Sequence, residues 1–216
     1  MPKGFIEKPR LVGLLEAVAD HYDCQHFGFL VGTHQPPLKF GPPAQLLKLA
    51  PSLRAALENV IRFVELYTQG VCYELLEARK QASFRRYHTY RYDINPVQLD
   101  LLGMVQVFNM FRGLCGNDWK PISIEFIQSS PRQQEQLIDY FGCPVLFDQR
   151  ITGITFPASD LVRQLPTANK ELLQIVEGYF TPRISGNQPA DDIVTRTRGY
   201  IRGQLGSGLC NLESCA

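Results

Sequence analysis

Apolar residues recur at Leu11, Leu14, Leu15 and Val18, which is one face of a helix over residues 11–19. Pro36-Pro37 and Pro42-Pro43 then break the chain and leave residues 44–49 as a short helix. Pro51-Ser52 opens an amphipathic helix with Leu53, Ala56, Leu57, Val60, Ile61, Val64 and Tyr67 on its inner face, stopped by Gly70. Residues 71–78 and 82–92 are rich in aromatic and β-branched side chains and predict a hairpin turning at Arg79-Lys80-Gln81.

Asn95-Pro96 predicts the next helix start, with Asn95 as N-cap, and the helix should reach about Cys115. Leu99, Leu102, Met104, Val107, Phe108 and Phe111 cover so much of its circumference that it must be buried on more than one side. Ile122, Ile124 and Phe126 alternate with polar residues, a strand with one face inward. A helix over 131–141 closed by Gly142, strands over 144–147 and 151–156, and a helical turn capped by Ser159 and ended by Pro166 complete the series. The expected fold is α+β: a helical N-terminal part, then β-β-α-β-α-β-β, forming a mostly antiparallel sheet packed with helices.

A further helix over 169–180 carries Leu172, Leu173, Ile175, Val176, Tyr179 and Phe180. It leads into a polar segment with Pro182, Gly186 and Pro189, the best domain boundary in the chain. The expected division is a sensing and dimerisation domain over 1–183, a linker over 184–190 and a fragment over 191–216. In that fragment a helix over 191–205 precedes a turn over 211–216 that begins another helix and stops, so the chain is expected to be truncated.

Composition narrows the function classes. The chain has 216 residues, 44% hydrophobic and 20% charged, enough for a sizeable core, and its net charge of +1 argues against a large phosphate-gripping surface. Residues 1–5 lack a secretory pattern and no apolar run approaches the roughly 18–20 residues that cross a bilayer, which predicts a cytoplasmic protein with no membrane partner. The six cysteines are widely spaced, without a Cys-x-x-Cys, and read as free thiols. No metal and no cofactor are expected. His21, Asp23, Cys24 and His26 lie together at a helix-to-loop junction, where capping and turn residues belong. The basic, aromatic run from Phe84 to Tyr92 reads as a strand with one core face, the alternative being a stacking platform for single-stranded nucleic acid. Gly203, Gly206 and Gly208 follow a helix rather than a strand and fail the context test of a phosphate loop.

Several segments together are recognisable: His26-Phe27-Gly28-Phe29-Leu30-Val31-Gly32, Ala50-Pro51-Ser52-Leu53-Arg54-Ala55-Ala56-Leu57, Trp119-Lys120-Pro121-Ile122-Ser123-Ile124, Tyr140-Phe141-Gly142-Cys143-Pro144-Val145-Leu146-Phe147, Ile154-Thr155-Phe156-Pro157 and Leu165-Pro166. In this order they resemble the N-terminal, arabinose-binding-like domain of AraC/XylS-type transcriptional regulators, over roughly residues 20–216. The resemblance implies a small-molecule effector, a homodimer, and DNA contact only through a C-terminal helix-turn-helix domain missing from this chain. It specifies neither arabinose nor any other ligand. The competing class is a small-molecule enzyme of α+β fold, although no catalytic arrangement stands out.

Large aromatic residues crowd the elements that should face one another: Tyr67, Tyr73, Phe84, Phe108, Phe111 and Phe126. They are either ordinary core or the wall of a cavity between the sheet and the long helix. Such a cavity would suit an apolar or amphipathic effector such as a fatty acid, with Arg86 as its carboxylate partner.

Overall fold

The computed structural model describes residues 7–35, 44–66, 68–89 and 92–187. Tyr67, the breaks at Pro36-Pro37 and Pro42-Pro43, the glycines beyond Gly186, the helix expected over 191–205 and the turn over 211–216 lie outside these residues. The chain divides into two units, Met1–Phe180 and Thr181–Ala216; the architecture below is that of the first.

The chain opens with α1 (Lys8–His21), which has Pro9 in its first turn. Val12, Leu15 and Ala19 are its buried residues, at the spacing of one helical face, and Val12 and Leu15 meet Leu99 and Leu102 of a later helix. Asp23, in the left-handed region at φ 46, ends this part. A short helix, α2 (Phe27–Thr33), follows in a segment where periodicity predicted none. Next come α3 (Ala44–Lys48) and α4 (Leu53–Phe63), the latter capped as predicted by the Ser52 side chain, which accepts from the Ala55 N–H at 3.3 Å. A 3-10 turn over Val64–Leu66 continues α4, and Ile61, expected on its inner face, is instead 37% exposed.

The hairpin forms as β1 (Val71–Glu77) and β2 (Gln81–His88), paired from Val71 with His88 to Glu77 with Ala82. The long helix is α5 (Val97–Cys115), with 13 buried residues distributed all round it. Its predicted cap is corrected: Pro96 occupies the cap position and no side chain caps there. The Gln98 N–H, one of the donors a helix start leaves open, goes instead to the Glu16 carboxylate of α1 at 2.7 Å. The strand β3 (Ser123–Glu125) is shorter than expected; Ile124 and Phe126 are fully buried but Ile122 is 38% exposed. Then follow α6 (Gln134–Phe141), closed by Gly142 at φ 63, β4 (Val145–Leu146) and β5 (Thr152–Pro157). A 3-10 segment, Ala158–Val162, has Pro157 rather than Ser159 at its cap position. The last helix, α7 (Lys170–Asn187), is started by the Asn169 carboxamide oxygen, which accepts from the Leu172 N–H at 3.0 Å, and runs past the expected end at 180 into the predicted linker.

The strands lie in the order β1-β2-β5-β3-β4. All pairs are antiparallel except β3 with β4, which α6 joins as a short parallel crossover. The fold is therefore α+β, with a mostly antiparallel sheet. One face of the sheet packs Phe84, Ile154 and Phe156 against Met104, Phe108 and Phe111 of α5 in a continuous core. Trp119 completes it, stacked on Phe111 at 4.7 Å and donating its indole N–H to Asp160 at 2.8 Å.

Candidate functional site

Alternation along β2 turns Ala82, Phe84 and Arg86 inward, so the strand that supplies core to the sheet also buries a cation. Arg86 is 5% exposed and pairs through Nη1 with the carboxylate of Asp100 on α5. His88 Nε2 lies 2.8 Å from the same carboxylate oxygen and 3.1 Å from Arg86 Nη1. Space for the guanidinium comes from Gly103, one turn after Asp100, where a Cβ would sit 2.7 Å from Arg86 Nε. That Nε is buried without a hydrogen-bond partner.

A second cation stands close by. Lys8, at the start of α1, bonds through Nζ to the Thr68 hydroxyl. Burial, and after it repulsion from Arg86, pushes its pKa down to about 8. Asp100 already compensates Arg86, which leaves Lys8 as excess positive charge.

Thr68 and Tyr73 place these charges at the edge of a cavity of about 70 Å³. Its wall is Leu47, Val60, Val64, Val107 and Met110, with Gln106 as a further polar group. Tyr73 sits opposite Arg86 in the hairpin register, and its ring stacks on Phe84 at 5.0 Å. Burial raises the Tyr73 phenol above its ordinary pKa, and the nearby Arg86 opposes that rise.

Of the residues singled out from sequence, Tyr73 lines this cavity and Arg86 lies beside it. Phe84, Phe108, Phe111 and Phe126 are fully buried and engage other rings: Phe84 with Phe111 at 6.1 Å, Phe108 with Phe141 at 5.1 Å, Phe126 with Phe147 at 5.6 Å. None of these four phenylalanines lines the cavity. Lys8 and Thr68 went unnoticed in the sequence, because residues 60 positions apart leave no local signature of their meeting. Around the first turn of α2, Asp23 is held bidentately by Arg132 at 2.7 and 3.0 Å, and His26 bonds Gln136 at 3.0 Å.

A larger, polar cleft of about 580 Å³ opens between the C-terminal half of α1, the start of α5 and residues 127–131. Gln98 holds its floor: besides giving its N–H to Glu16, it accepts from the Gly28 N–H at 2.8 Å and donates to the Gln25 carbonyl at 3.1 Å.

A buried charge cluster thus lies beside an apolar cavity on a helix-backed sheet. Residues 1–165 match the family described as the arabinose-binding domain of AraC transcription regulators, N-terminal, and the chain belongs to that family. It is 23% identical over 219 residues to the HTH-type transcriptional regulator VirS of Mycobacterium tuberculosis, in strains CDC 1551 / Oshkosh and ATCC 25618 / H37Rv. The match covers 98% of this chain and 62% of VirS, so the chain spans less than two thirds of that relative's length. The crystal structure of the transcriptional regulator CdpR from Pseudomonas aeruginosa shares the fold, with a TM-score of 0.62 at 13% identity, covering 82% of this chain and 64% of CdpR.

Proposed function

We propose that this chain is the ligand-sensing and dimerising part of an AraC-type regulator, and that an apolar or amphipathic effector enters at Tyr73 between α4, the hairpin and α5. The observation that carries the reading is the apolar cavity ending at Thr68 and Tyr73, with the excess charge of Lys8 at that end. An apolar tail gains by leaving water, and a carboxylate head would supply the counter-charge that Lys8 lacks. Arg86 contributes to the positive potential, while its direct partner is Asp100.

The cavity of about 70 Å³ holds only a few heavy atoms. A longer effector must therefore spread α4 from α5, and a ligand that favours the spread state shifts the population toward it. That shift is the signal. DNA is read in such a regulator by a recognition helix in the major groove, assigned here to the helix-turn-helix part of the full protein.

The test is calorimetric titration of the 216-residue chain with saturated fatty acids of graded length. Saturable binding that weakens in Lys8→Met and in Tyr73→Ala is expected. Failure of the whole series to bind, or binding indifferent to both substitutions, overturns the proposal.

A further inference from the structure

We propose that the polar cleft between α1, α5 and residues 127–131 is a second ligand site, for a small organic ammonium that also carries a hydrogen-bond acceptor. Three features of the cleft lead there, and none involves the apolar cavity. Its volume of about 580 Å³ lies within the usual range of roughly 300–1,000 Å³ for small-molecule sites. Its walls are largely polar, so the occupant is compact and hydrophilic rather than a hydrocarbon tail.

The second feature is charge. Glu16 and Asp20 are four residues apart on α1, hence neighbours on one helical face, and both line the cleft. Among the described residues neither forms an ion pair. Burial raises the Glu16 pKa, the Gln98 N–H opposes that rise, and repulsion from Asp20 and Asp100 adds to it. Asp23, also on the wall, is answered by Arg132, so the uncompensated charge is that of Glu16 and Asp20. Glu16 gives one oxygen to the Gln98 N–H and, as a carboxylate, keeps further acceptor capacity.

The third feature is a donor. Gln128, on the cleft wall, is only 8% exposed, and its Nε2 is buried with no acceptor. A buried donor left unmade is costly, and an oxygen brought by a ligand satisfies it. Carboxylates on the α1 side and an amide donor on the 127–131 side ask for one molecule with an ammonium and an oxygen acceptor. Among the described residues no group of three or more His, Cys, Asp or Glu side chains is placed to hold a metal ion, and the two carboxylates alone fall short of the 6–8 oxygens a calcium ion takes. The cleft reaches along α5 as far as Leu101 and the apolar cavity begins at Gln106, roughly 7–8 Å further along the helix at 1.5 Å per residue. The two sites are therefore separable by experiment.

Ligand-observed NMR on the 216-residue chain would compare ethanolamine and glucosamine with their neutral counterparts ethylene glycol and glucose, and with propylamine, which has no oxygen acceptor. Binding of the two hydroxylated amines and not of the neutral compounds is expected. Asp20→Asn, at an exposed position, should weaken the amines about tenfold, the low end of what one lost charge-assisted hydrogen bond contributes. Gln128→Met should narrow the advantage of ethanolamine over propylamine. Amines that bind no better than neutral compounds, or amine binding unchanged in Asp20→Asn, overturns the proposal; calcium competing with the amines at equal concentration does so as well. Fatty-acid titration of Asp20→Asn should match the unsubstituted chain, which keeps a failure here apart from a failure of the effector reading.

Discussion

Gly28 of α2 touches the backbone of Gln98 so closely that a Cβ at Gly28 would lie 1.9 Å from the Gln98 carbonyl oxygen, while its own N–H donates to the Gln98 side chain at 2.8 Å. One turn on, a Cβ at Gly32 would lie 2.8 Å from Val105. The two glycines make a flat strip on which α2 lies against α5. Gly28→Ala cannot be relieved by a side-chain rotation, because the obstacle is backbone. It should cost about 2–3 kcal/mol of stability, as overpacking does. Gly13→Ala, where nothing lies within 4 Å, should stabilise α1 by about 0.5–1 kcal/mol. Urea unfolding of the two variants checks the contrast, and equal effects would contradict it.

The same glycines show what the sequence makes legible. The period-3.6 and period-2 patterns yield the order of helices and strands and the α+β class, because one-sided burial writes itself into consecutive residues. They miss α2, whose core face is Gly28, Phe29 and Gly32: two of its three buried positions carry no side chain and so give no hydrophobic signal. The sequence also misplaces the N-cap of α5, since the group that satisfies Gln98 is Glu16, 82 residues away. At the candidate site, Arg86 and Tyr73 stand out because a charge and a ring occupy inward strand positions. Lys8, Thr68 and Gln128 do not, because each gains its meaning from tertiary neighbours alone.

Arg86 and Asp100 form the buried pair beneath the cavity, and their roles separate by substitution. Asp100→Ala leaves Arg86 and His88 adjacent without a counter-ion and should lose about 3–5 kcal/mol. Arg86→Met combined with Asp100→Leu removes both charges and should recover most of that loss. Denaturant unfolding of the three proteins measures it. A double variant as unstable as Asp100→Ala would show that His88 and the surrounding polar groups, rather than the pair itself, set the cost.

Titration gives two effects of opposite sign. The Lys8 pKa falls on folding from 10.5 to about 8, so between these values the unfolded chain holds more protons, and stability contributed by this group rises with pH from 8 to 10.5. Burial raises the Cys115 and Cys143 thiols from 9.0 to about 11, so the folded chain holds the extra protons and their contribution is lost as pH climbs from 9 through 11. Unfolding free energies of the unsubstituted chain and Lys8→Met at pH 7 and pH 10 should therefore converge or cross in favour of the unsubstituted chain at the higher pH. At pH 8 iodoacetamide should modify Cys115 and Cys143 far more slowly in the folded chain than in urea, because the thiolate is the nucleophile. A pH-independent difference, or equal alkylation rates, would contradict these assignments.

The face of α7 that turns away from the core carries Leu172, Ile175 and Tyr179 at 48, 69 and 57% exposure, while Leu173 and Phe180 of the same helix are buried. Positions three and four apart fall in line, so the three exposed residues form a stripe rather than scattered contacts. Val162, just before α7, is 71% exposed as well. An apolar stripe of this kind tends to find cover, and in an AraC-type regulator the cover proposed is the same stripe of a second chain, related by a twofold axis. Each large apolar side chain buried there would contribute roughly 1.5–3 kcal/mol before the entropy of association is counted. Light scattering should then find a dimer at micromolar concentration. Ile175→Glu should convert it to a monomer without altering the circular dichroism spectrum, since the side chain is outside the core, whereas Glu58→Gln on α4 should leave the dimer intact. An unsubstituted chain that stays monomeric at high concentration, or a dimer indifferent to Ile175→Glu, excludes α7 as the pairing surface.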